Sequence, residues 1–114
     1  MKEVYIMYNI AICDDEETVC SQIEHAILEY EKLLCETIEI DIYYTGEELY
    51  KFLKEGFHYD MIFLDIELKM LNGVELGVKI CDELKNESVQ IIYISAKEGY
   101  AMELLNTNFH YLSR

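Results

Sequence analysis

Three apolar runs in this chain each stop at a residue that can hold a metal ion or a phosphoryl group. The first run leads into the acid pair Asp14-Asp15, the second into Asp65 and the third into Ser95. Short runs rich in isoleucine are typical of strands that are buried on both faces of a parallel sheet. Ligand sites in such sheets lie at the carboxyl ends of the strands. If the three strands are neighbours, three carboxylates and a hydroxyl meet at one edge of the sheet.

Such an edge suits a hard cation and a phosphoryl transfer. Mg²⁺ prefers octahedral oxygen coordination with one or two protein carboxylates, so we predict that Asp14 and Asp15 bind it. Asp65 is the candidate nucleophile, because a carboxylate can accept a phosphoryl group whose charge Mg²⁺ would neutralise. Two plainer interpretations stay open: Asp15 caps the following helix, and Asp65 is an acid in a solvated loop. The abrupt change from apolar residues to Asp65 argues against the loop, since a carboxylate beside a dry strand is costly without a partner.

Three further side chains each have two interpretations. Ser95 could donate its hydroxyl to a phosphoryl oxygen, or it could be an ordinary turn serine. Tyr111 could move between buried and exposed positions, or it could be a plain core aromatic residue. Arg114 could pair with a phosphate, or it could be a solvated terminal charge.

Length and composition restrict the class of protein. The 114 residues fit one domain, and the 52% of hydrophobic residues argue against disorder. No apolar stretch approaches the ~20 residues of a membrane span, and the N-terminus does not resemble a signal peptide. A net charge of -14 repels phosphate backbones, so this chain itself is not predicted to bind DNA or RNA. The four cysteines and three histidines lack the spacing of a zinc site, which favours reduced core thiols in a cytoplasmic protein.

Hydrophobic periodicity predicts strands that alternate with helices. Thr45 and Glu48 form a capping box for a second helix that ends at Gly56, and Asn72 is the predicted cap of a third. The predicted strands cover residues 8–13, 38–43, 60–64, 90–94 and 109–112, and the first and fourth helices cover residues 16–34 and 99–106. The predicted buried positions are Val19, Ile23, Ile27, Tyr30 and Leu34 in the first helix, and Val74, Val78, Cys81 and Leu84 in the third.

This order of elements predicts an α/β fold with a doubly wound, five-stranded parallel sheet and helices on both faces. The strand order 2-1-3-4-5, as in flavodoxin, places the first strand between the second and the third. The ends of the first, third and fourth strands then lie side by side. Alternating polar residues in the second strand indicate an edge position with one wet face.

The chain resembles a known family, the receiver domain of bacterial two-component response regulators. The resemblance covers nearly the whole chain and rests on the order and spacing of four motifs. It looks most like the LytTR-type regulators, in which a receiver precedes a DNA-binding domain. The motifs are residues 10–16, residues 63–68 followed by Asn72-Gly73, Ile94-Ser95-Ala96, and residues 109–112.

The resemblance implies a role for each acidic residue of the predicted site. Asp65 would accept a phosphoryl group from a histidine kinase or a small donor. Asp15 would bind Mg²⁺ directly, and Asp14 would act mostly through water. The backbone carbonyl of Glu67 would be a further ligand, with its side chain near the path of an attacking water. The chain would then be no enzyme beyond its own phosphorylation and dephosphorylation at Asp65.

The same resemblance implies a conformational switch. Ser95 would supply the switch hydroxyl, and Tyr111 would be the switch aromatic that follows it. Arg114 stands where the family usually has lysine, and Lys69 stands where it usually has proline. No room is left for a fifth helix, so we expect a truncated receiver, without its output domain, whose uncovered apolar face pairs with a second copy.

Two rival interpretations remain. One is a small Mg²⁺-dependent phosphatase with an aspartate nucleophile, although the threonine typical of such enzymes is absent from residues 66–72. The other is a pseudo-receiver, an interaction module that no longer takes phosphate. An Asp65 adduct formed by acetyl phosphate and Mg²⁺ would separate the receiver from both.

Overall fold

The computed structural model describes residues 7–34, 36–68, 72–82 and 89–95, together with the backbone of residues 110–113. Within these ranges, strands and helices alternate as the periodicity predicts. The strands are β1 (Met7–Cys13), β2 (Thr37–Tyr43), β3 (Met61–Asp65), β4 (Gln90–Ile94) and β5 (His110–Ser113). The helices are α1 (Glu17–Glu31), α2 (Gly46–Lys54) and α3 (Gly73–Asp82). The predicted fourth helix lies outside the described residues.

The strands form one sheet in the order β2-β1-β3-β4-β5, which is the predicted order. The four strands β2, β1, β3 and β4 are parallel, and β2 lies at an edge, as its alternating pattern indicated. β5 differs from the prediction because it runs antiparallel to β4. A short apolar run has no direction of its own, and an antiparallel edge strand on a parallel sheet is common. The prediction had assumed a crossover helix before this strand.

The sheet separates two layers of core side chains. One layer, beneath α2 and α3, includes Ala11, Cys13, Ile62 and Leu64, and the other, beneath α1, includes Ile10, Ile12 and Phe63. Consecutive residues of β1 and β3 therefore point to opposite faces, and both faces are apolar. This pattern explains why these strands appear in the sequence as continuous apolar runs rather than as alternating apolar and polar residues. Burial on both faces fixes the positions of the strand ends, where the polar residues of the predicted site lie.

The ends of the helices follow the sequence signals. The Thr45 hydroxyl oxygen accepts a hydrogen bond from the amide of Glu48 at 3.1 Å, which caps α2. The Asn72 side chain accepts bonds from the amides of Val74 at 2.8 Å and Glu75 at 3.3 Å, which caps α3. Both caps are confirmed. They fix the starts of two helices that follow strands of the sheet.

The predicted buried face of α3 is wrong at two positions. Val74 and Val78 are 46% and 47% exposed, whereas Leu76 and Ile80 are fully buried. The sequence offers apolar residues on both sides of this helix, so periodicity alone does not choose between them. Cys81 is buried as predicted, and Leu84 lies outside the described residues.

Gly77 decides which side of α3 faces the sheet. A Cβ atom at this position would overlap the hydroxyl oxygen of Tyr93 and lie 2.9 Å from its Cζ atom. The helix therefore approaches β4 closely at Gly77, where no side chain stands between the two elements. That hydroxyl is buried without a hydrogen-bond partner in the part of the chain that the structure describes.

An apolar groove opens on the α1 face, near the starts of the strands. Its volume is about 820 Å³, and its lining includes Tyr8, Ile10, Ile23, Tyr30, Ile38 and Phe63. Val19 and Ile23 of the predicted α1 stripe are buried, whereas Tyr30 is 60% exposed at this groove. Ile27 and Leu34 are half-buried. Among the described residues, α1 alone covers this face.

No described helix has the length and apolar character needed to cross a membrane.

Replacing Gly77 with alanine should destabilise the fold by roughly 1–3 kcal/mol, the usual range for overpacking. The added methyl group forces Tyr93 or α3 to move. Urea unfolding measures the change, and Glu75→Ala on the exposed side of α3 is the matched control. In a Tyr93→Phe background the penalty should shrink, because the nearest overlapping atom is gone. Equal penalties in both backgrounds would contradict the proposed contact.

Candidate functional site

The polar residues of the predicted site lie at the carboxyl ends of three adjacent strands. Cys13, which ends β1 and precedes Asp14, pairs with Leu64, and Asp65 is the last residue of β3. Asp65 pairs with Ile94, the last residue of β4, and Ser95 follows. The parallel pairing thus brings together the residues that the sequence analysis grouped at one edge.

Asp14, Asp15 and Asp65 form an acidic cluster. One carboxylate oxygen of each lies within 4.8 Å of those of the other two. Asp14 is only 1% exposed and Asp65 only 6% exposed, while Asp15 is half-buried. A solvated-loop position for Asp65 therefore does not apply. The capping alternative for Asp15 does not apply either, because Glu16 occupies the N-cap position of α1.

Backbone and thiol groups fix the orientation of Asp14. Its Oδ1 atom accepts a hydrogen bond from the amide of Glu16 at 2.9 Å, and its own amide donates to the carbonyl of Tyr43 at 3.1 Å. The thiol of Cys20 donates to the Asp14 carbonyl at 3.4 Å. Burial raises the pKa of this thiol to about 12, so it remains a donor. Asp14 is therefore held in place from β2 and from the first turns of α1.

Asp65 is fixed in a similar way. Its Oδ1 atom accepts a hydrogen bond from the amide of Glu67 at 3.0 Å, and the amide of Ile66 donates to the carbonyl of Ile94 at 3.0 Å. Gly73, the first residue of α3, rests against this segment. A Cβ atom there would overlap the Asp65 carbonyl oxygen and lie 2.7 Å from the Ile66 Cα atom. Asp65 thus sits on a backbone that β4 and α3 both restrain.

Desolvation dominates the electrostatics of the site. The pKa of Asp14 is raised to about 7, mainly by burial, with a smaller contribution from the charge of Asp65 and against the opposing hydrogen bond from the Glu16 amide. Burial also raises the pKa of Asp65 to about 6, with contributions from Asp15 and Glu67 against the hydrogen bond from the Glu67 amide. Near neutral pH these two carboxyls lie close to their own titration, so a cation would favour their ionised forms.

The chemistry of the cluster fits Mg²⁺. All three side chains offer carboxylate oxygens, which are the ligands this ion prefers. The Oδ2 atom of Asp14 is buried and has no hydrogen-bond partner among the described residues. A buried carboxylate oxygen without a partner is costly, and a metal ion or a metal-bound water would satisfy it. The fit of the site to Mg²⁺ therefore rests on the unpaired Oδ2 atom of Asp14 as well as on the proximity of the three carboxylates.

The other predicted site residues have different outcomes. The Ser95 hydroxyl lies at the same edge and donates a hydrogen bond to the Glu67 carboxylate at 3.3 Å. Tyr111 belongs to β5, where its backbone pairs with Ile92. Arg114 and Lys69 lie outside the described residues.

Sequence reasoning did not identify Gly73, Tyr43 or Cys20 as supports of the site. Gly73 entered only as part of the Asn72-Gly73 motif of the family resemblance, and that motif was the available signal. The backbone bond between Asp14 and Tyr43 and the thiol bond from Cys20 depend on how β2 and α1 pack against β1. No short motif encodes such contacts.

Fold and site together define a receiver domain. The chain belongs to the response regulator receiver domain family, which it matches over residues 10–112. Among curated proteins it is 28% identical over 96 residues to the sensory transduction protein LytT of Oceanobacillus iheyensis. This match covers 83% of the chain and 37% of LytT. The transcriptional regulatory protein LytR of Staphylococcus aureus is 42% identical over 50 residues, which are 44% of the chain and 20% of LytR. The matched part of the chain thus spans at most 37% of the length of these curated relatives.

Solved structures agree with this family. The response regulator TrrA of Thermotoga maritima, solved with Mg²⁺ and beryllofluoride, is 30% identical and gives a TM-score of 0.65. The match covers 86% of this chain and 77% of TrrA. A receiver domain from Saccharomyces cerevisiae, solved with a histidine phosphotransfer protein, has the same fold at 22% identity and a TM-score of 0.64. That match covers 84% of this chain and 68% of the yeast domain.

Removing the charge of Asp14 should stabilise the metal-free protein. Its raised pKa means that the folded state binds more protons than the unfolded state between about pH 4 and pH 7. The free energy of unfolding therefore falls as pH rises through this window. Asp14→Asn removes this term, so at pH 8 in EDTA the variant should be more stable than the wild type by on the order of 2 kcal/mol. Urea unfolding at pH 5 and pH 8 measures the difference.

The same variant should lose the stabilisation that Mg²⁺ gives the wild type, because a ligand that binds only the folded state raises its stability. Asp60→Asn is the matched control, since Asp60 precedes the opposite end of β3. This control should keep the response to Mg²⁺. A destabilised Asp14→Asn variant at pH 8, or one that Mg²⁺ still stabilises, would contradict the assignment.

Proposed function

We propose that this chain is the phosphoacceptor receiver domain of a two-component response regulator, with Asp65 as the phosphorylated residue. The observation that carries the proposal is the convergence of Asp14, Asp15 and Asp65 at the carboxyl edge of a parallel sheet. Phosphorylation would depend on Mg²⁺, held by Asp14, Asp15, Asp65 and the backbone carbonyl of Glu67. A histidine kinase or a small phosphodonor would supply the phosphoryl group. The yeast receiver solved with a histidine phosphotransfer protein supports a partner of this kind.

The proposed reaction is a direct displacement at phosphorus. A carboxylate oxygen of Asp65 forms a bond to the phosphorus atom while the bond to the donor breaks. The electron pair of that bond leaves with acetate from acetyl phosphate, or with the imidazole nitrogen of a kinase histidine. The product is an aspartyl phosphate, which water later hydrolyses to restore the carboxylate. When bound, Mg²⁺ neutralises the charge that builds up on the phosphoryl oxygens.

The residues of the site prepare Asp65 for this reaction. The amide of Glu67 holds one oxygen of the carboxylate at 3.0 Å, which orients the nucleophile. Burial of Asp65 and Asp14 removes the water that would otherwise solvate them. Their poor solvation makes the cluster attract a cation, and a bound cation keeps Asp65 ionised. A protonated carboxyl would be a poor nucleophile.

In the proposed signalling step, the phosphoryl group shifts the protein between two conformations. Ser95 is the switch hydroxyl, and Tyr111 is the aromatic residue that follows it. The changed surface would then control a DNA-binding domain of a longer protein, which is compatible with the name of the relative LytR, a transcriptional regulatory protein. A cytoplasmic location belongs to this proposal. Arg114 would take the position of the usual lysine.

The first test is phosphorylation itself. Incubation with acetyl phosphate and Mg²⁺ should add one phosphoryl group, visible as a single adduct by intact mass spectrometry. The adduct should be absent in Asp65→Asn and should decay over time in the wild type. Asp82→Asn, an exposed aspartate on α3, is the matched control and should keep the adduct.

Other outcomes separate the rival functions. Steady turnover of a phosphate ester would indicate a phosphatase. A chain that forms no adduct and does not respond to beryllofluoride would be a pseudo-receiver, and the proposal would be wrong.

We also propose that the apolar groove is where two copies of this chain associate. The groove exposes apolar side chains from α1 and from the strand starts, and apolar surfaces of this kind mark sites of association. The groove lies at the end of the sheet opposite the acidic cluster. Association through it would therefore leave Asp65 accessible to a phosphodonor.

A lysine at the rim of the groove should prevent this association. Tyr30 is exposed at the rim of the groove, so Tyr30→Lys places a positive charge there. This charge would lose its hydration if two apolar surfaces associated, which is unfavourable. Tyr44→Lys is the matched control, because Tyr44 is 42% exposed and does not line the groove. Sedimentation should show dimers at high concentration for the wild type and Tyr44→Lys, and monomers for Tyr30→Lys. A monomeric wild type would contradict this proposal and leave the phosphorylation proposal intact.

A further inference from the structure

The hydroxyl of Ser95 already has an acceptor in this structure. It donates to the Oε1 atom of Glu67 at 3.3 Å, across the gap between the β3–α3 loop and the end of β4. A serine hydroxyl has one hydrogen to donate. If this hydrogen is to reach a phosphoryl oxygen on Asp65, the bond to Glu67 must break first.

The contact joins two segments that the backbone already holds together. Asp65 pairs with Ile94, and the amide of Ile66 donates to the Ile94 carbonyl at 3.0 Å. Glu67 and Ser95 each follow one of these bonded residues. Glu67 is further restrained because its amide donates to the Asp65 carboxylate. The register of the sheet, rather than a chance meeting of long loops, therefore brings the two side chains together.

We infer that Glu67 is a positioning residue that retains the Ser95 hydroxyl while Asp65 is unphosphorylated. This inference rests on the proposed phosphorylation of Asp65. A phosphoryl group carries close to two negative charges at neutral pH, so it repels the nearby Glu67 carboxylate and attracts the hydroxyl. Phosphorylation thus breaks the hydrogen bond between Ser95 and Glu67 and replaces it with one between Ser95 and the phosphoryl group. Glu67 opposes the switch, and the strength of its bond to Ser95 helps to set how readily the active state forms.

Two variants separate the hydrogen bond from the charge. Glu67→Ala and Glu67→Gln both remove the negative charge, but only the glutamine keeps a side-chain oxygen that can accept from Ser95. The probe is beryllofluoride with Mg²⁺, and its apparent affinity is measured by NMR titration. We expect Glu67→Ala to bind the probe about three- to tenfold more tightly than Glu67→Gln, the size of one net hydrogen bond. Equal affinities in the two variants would overturn the inference.

The Ser95→Ala background provides the decisive control. Without the hydroxyl, Glu67→Ala and Glu67→Gln should bind beryllofluoride equally, because charge is removed in both and no hydrogen bond is left to lose. A difference that persists in Ser95→Ala would show that Glu67 acts by another route and would overturn the inference. Glu55→Ala, an exposed glutamate after α2, controls for general loss of charge and should match the wild type. A wild type that does not bind the probe would instead contradict the proposed function.

Discussion

The crowding of carboxylates against dry strand ends is the constraint on which this structure depends. Parallel pairing of β1, β3 and β4 directs their carboxyl ends to one edge, so Asp14 and Asp65 approach each other despite their charges. Their raised pKa values reflect what this position costs in desolvation and repulsion. The same position creates the affinity for a cation, because a positive ion relieves both penalties at once. The electrostatic strain of the metal-free fold and the chemistry of the site therefore have a single cause.

The two buried aspartates, Asp14 and Asp65, are restrained by the same local hydrogen-bond pattern. In each, the Oδ1 atom accepts a hydrogen bond from the amide two residues further along the chain, at 2.9 Å for Asp14 and 3.0 Å for Asp65. Such short loops between a side chain and its own backbone are typical of aspartate at turns. They fix the direction of the carboxylate without using another side chain. The acidic edge is thus organised mainly by backbone donors.

Much of this arrangement can be predicted from the sequence, because strand ends and helix caps are local signals. The strand order, the caps Thr45 and Asn72, and the grouping of the three aspartates all depend on short patterns. Other features depend on contacts between distant segments. The buried face of α3 depends on the fit of Gly77 against Tyr93, and the direction of β5 on its antiparallel pairing with β4. The bond between Ser95 and Glu67 likewise depends on strand register, which hydrophobic periodicity does not specify at the level of single atoms.

The contact between Gly73 and Asp65 has a mechanical consequence. Because Gly73 has no side chain, the first turn of α3 rests directly on the backbone of Asp65 and Ile66. Side chains can absorb small displacements by rotating, but two backbones in contact have no such freedom. A displacement of the main chain at Asp65 would therefore displace the first turn of α3 directly. The far end of this helix is at Asp82, which is exposed, so such a displacement would reach the surface of the domain at a distance from the acidic edge.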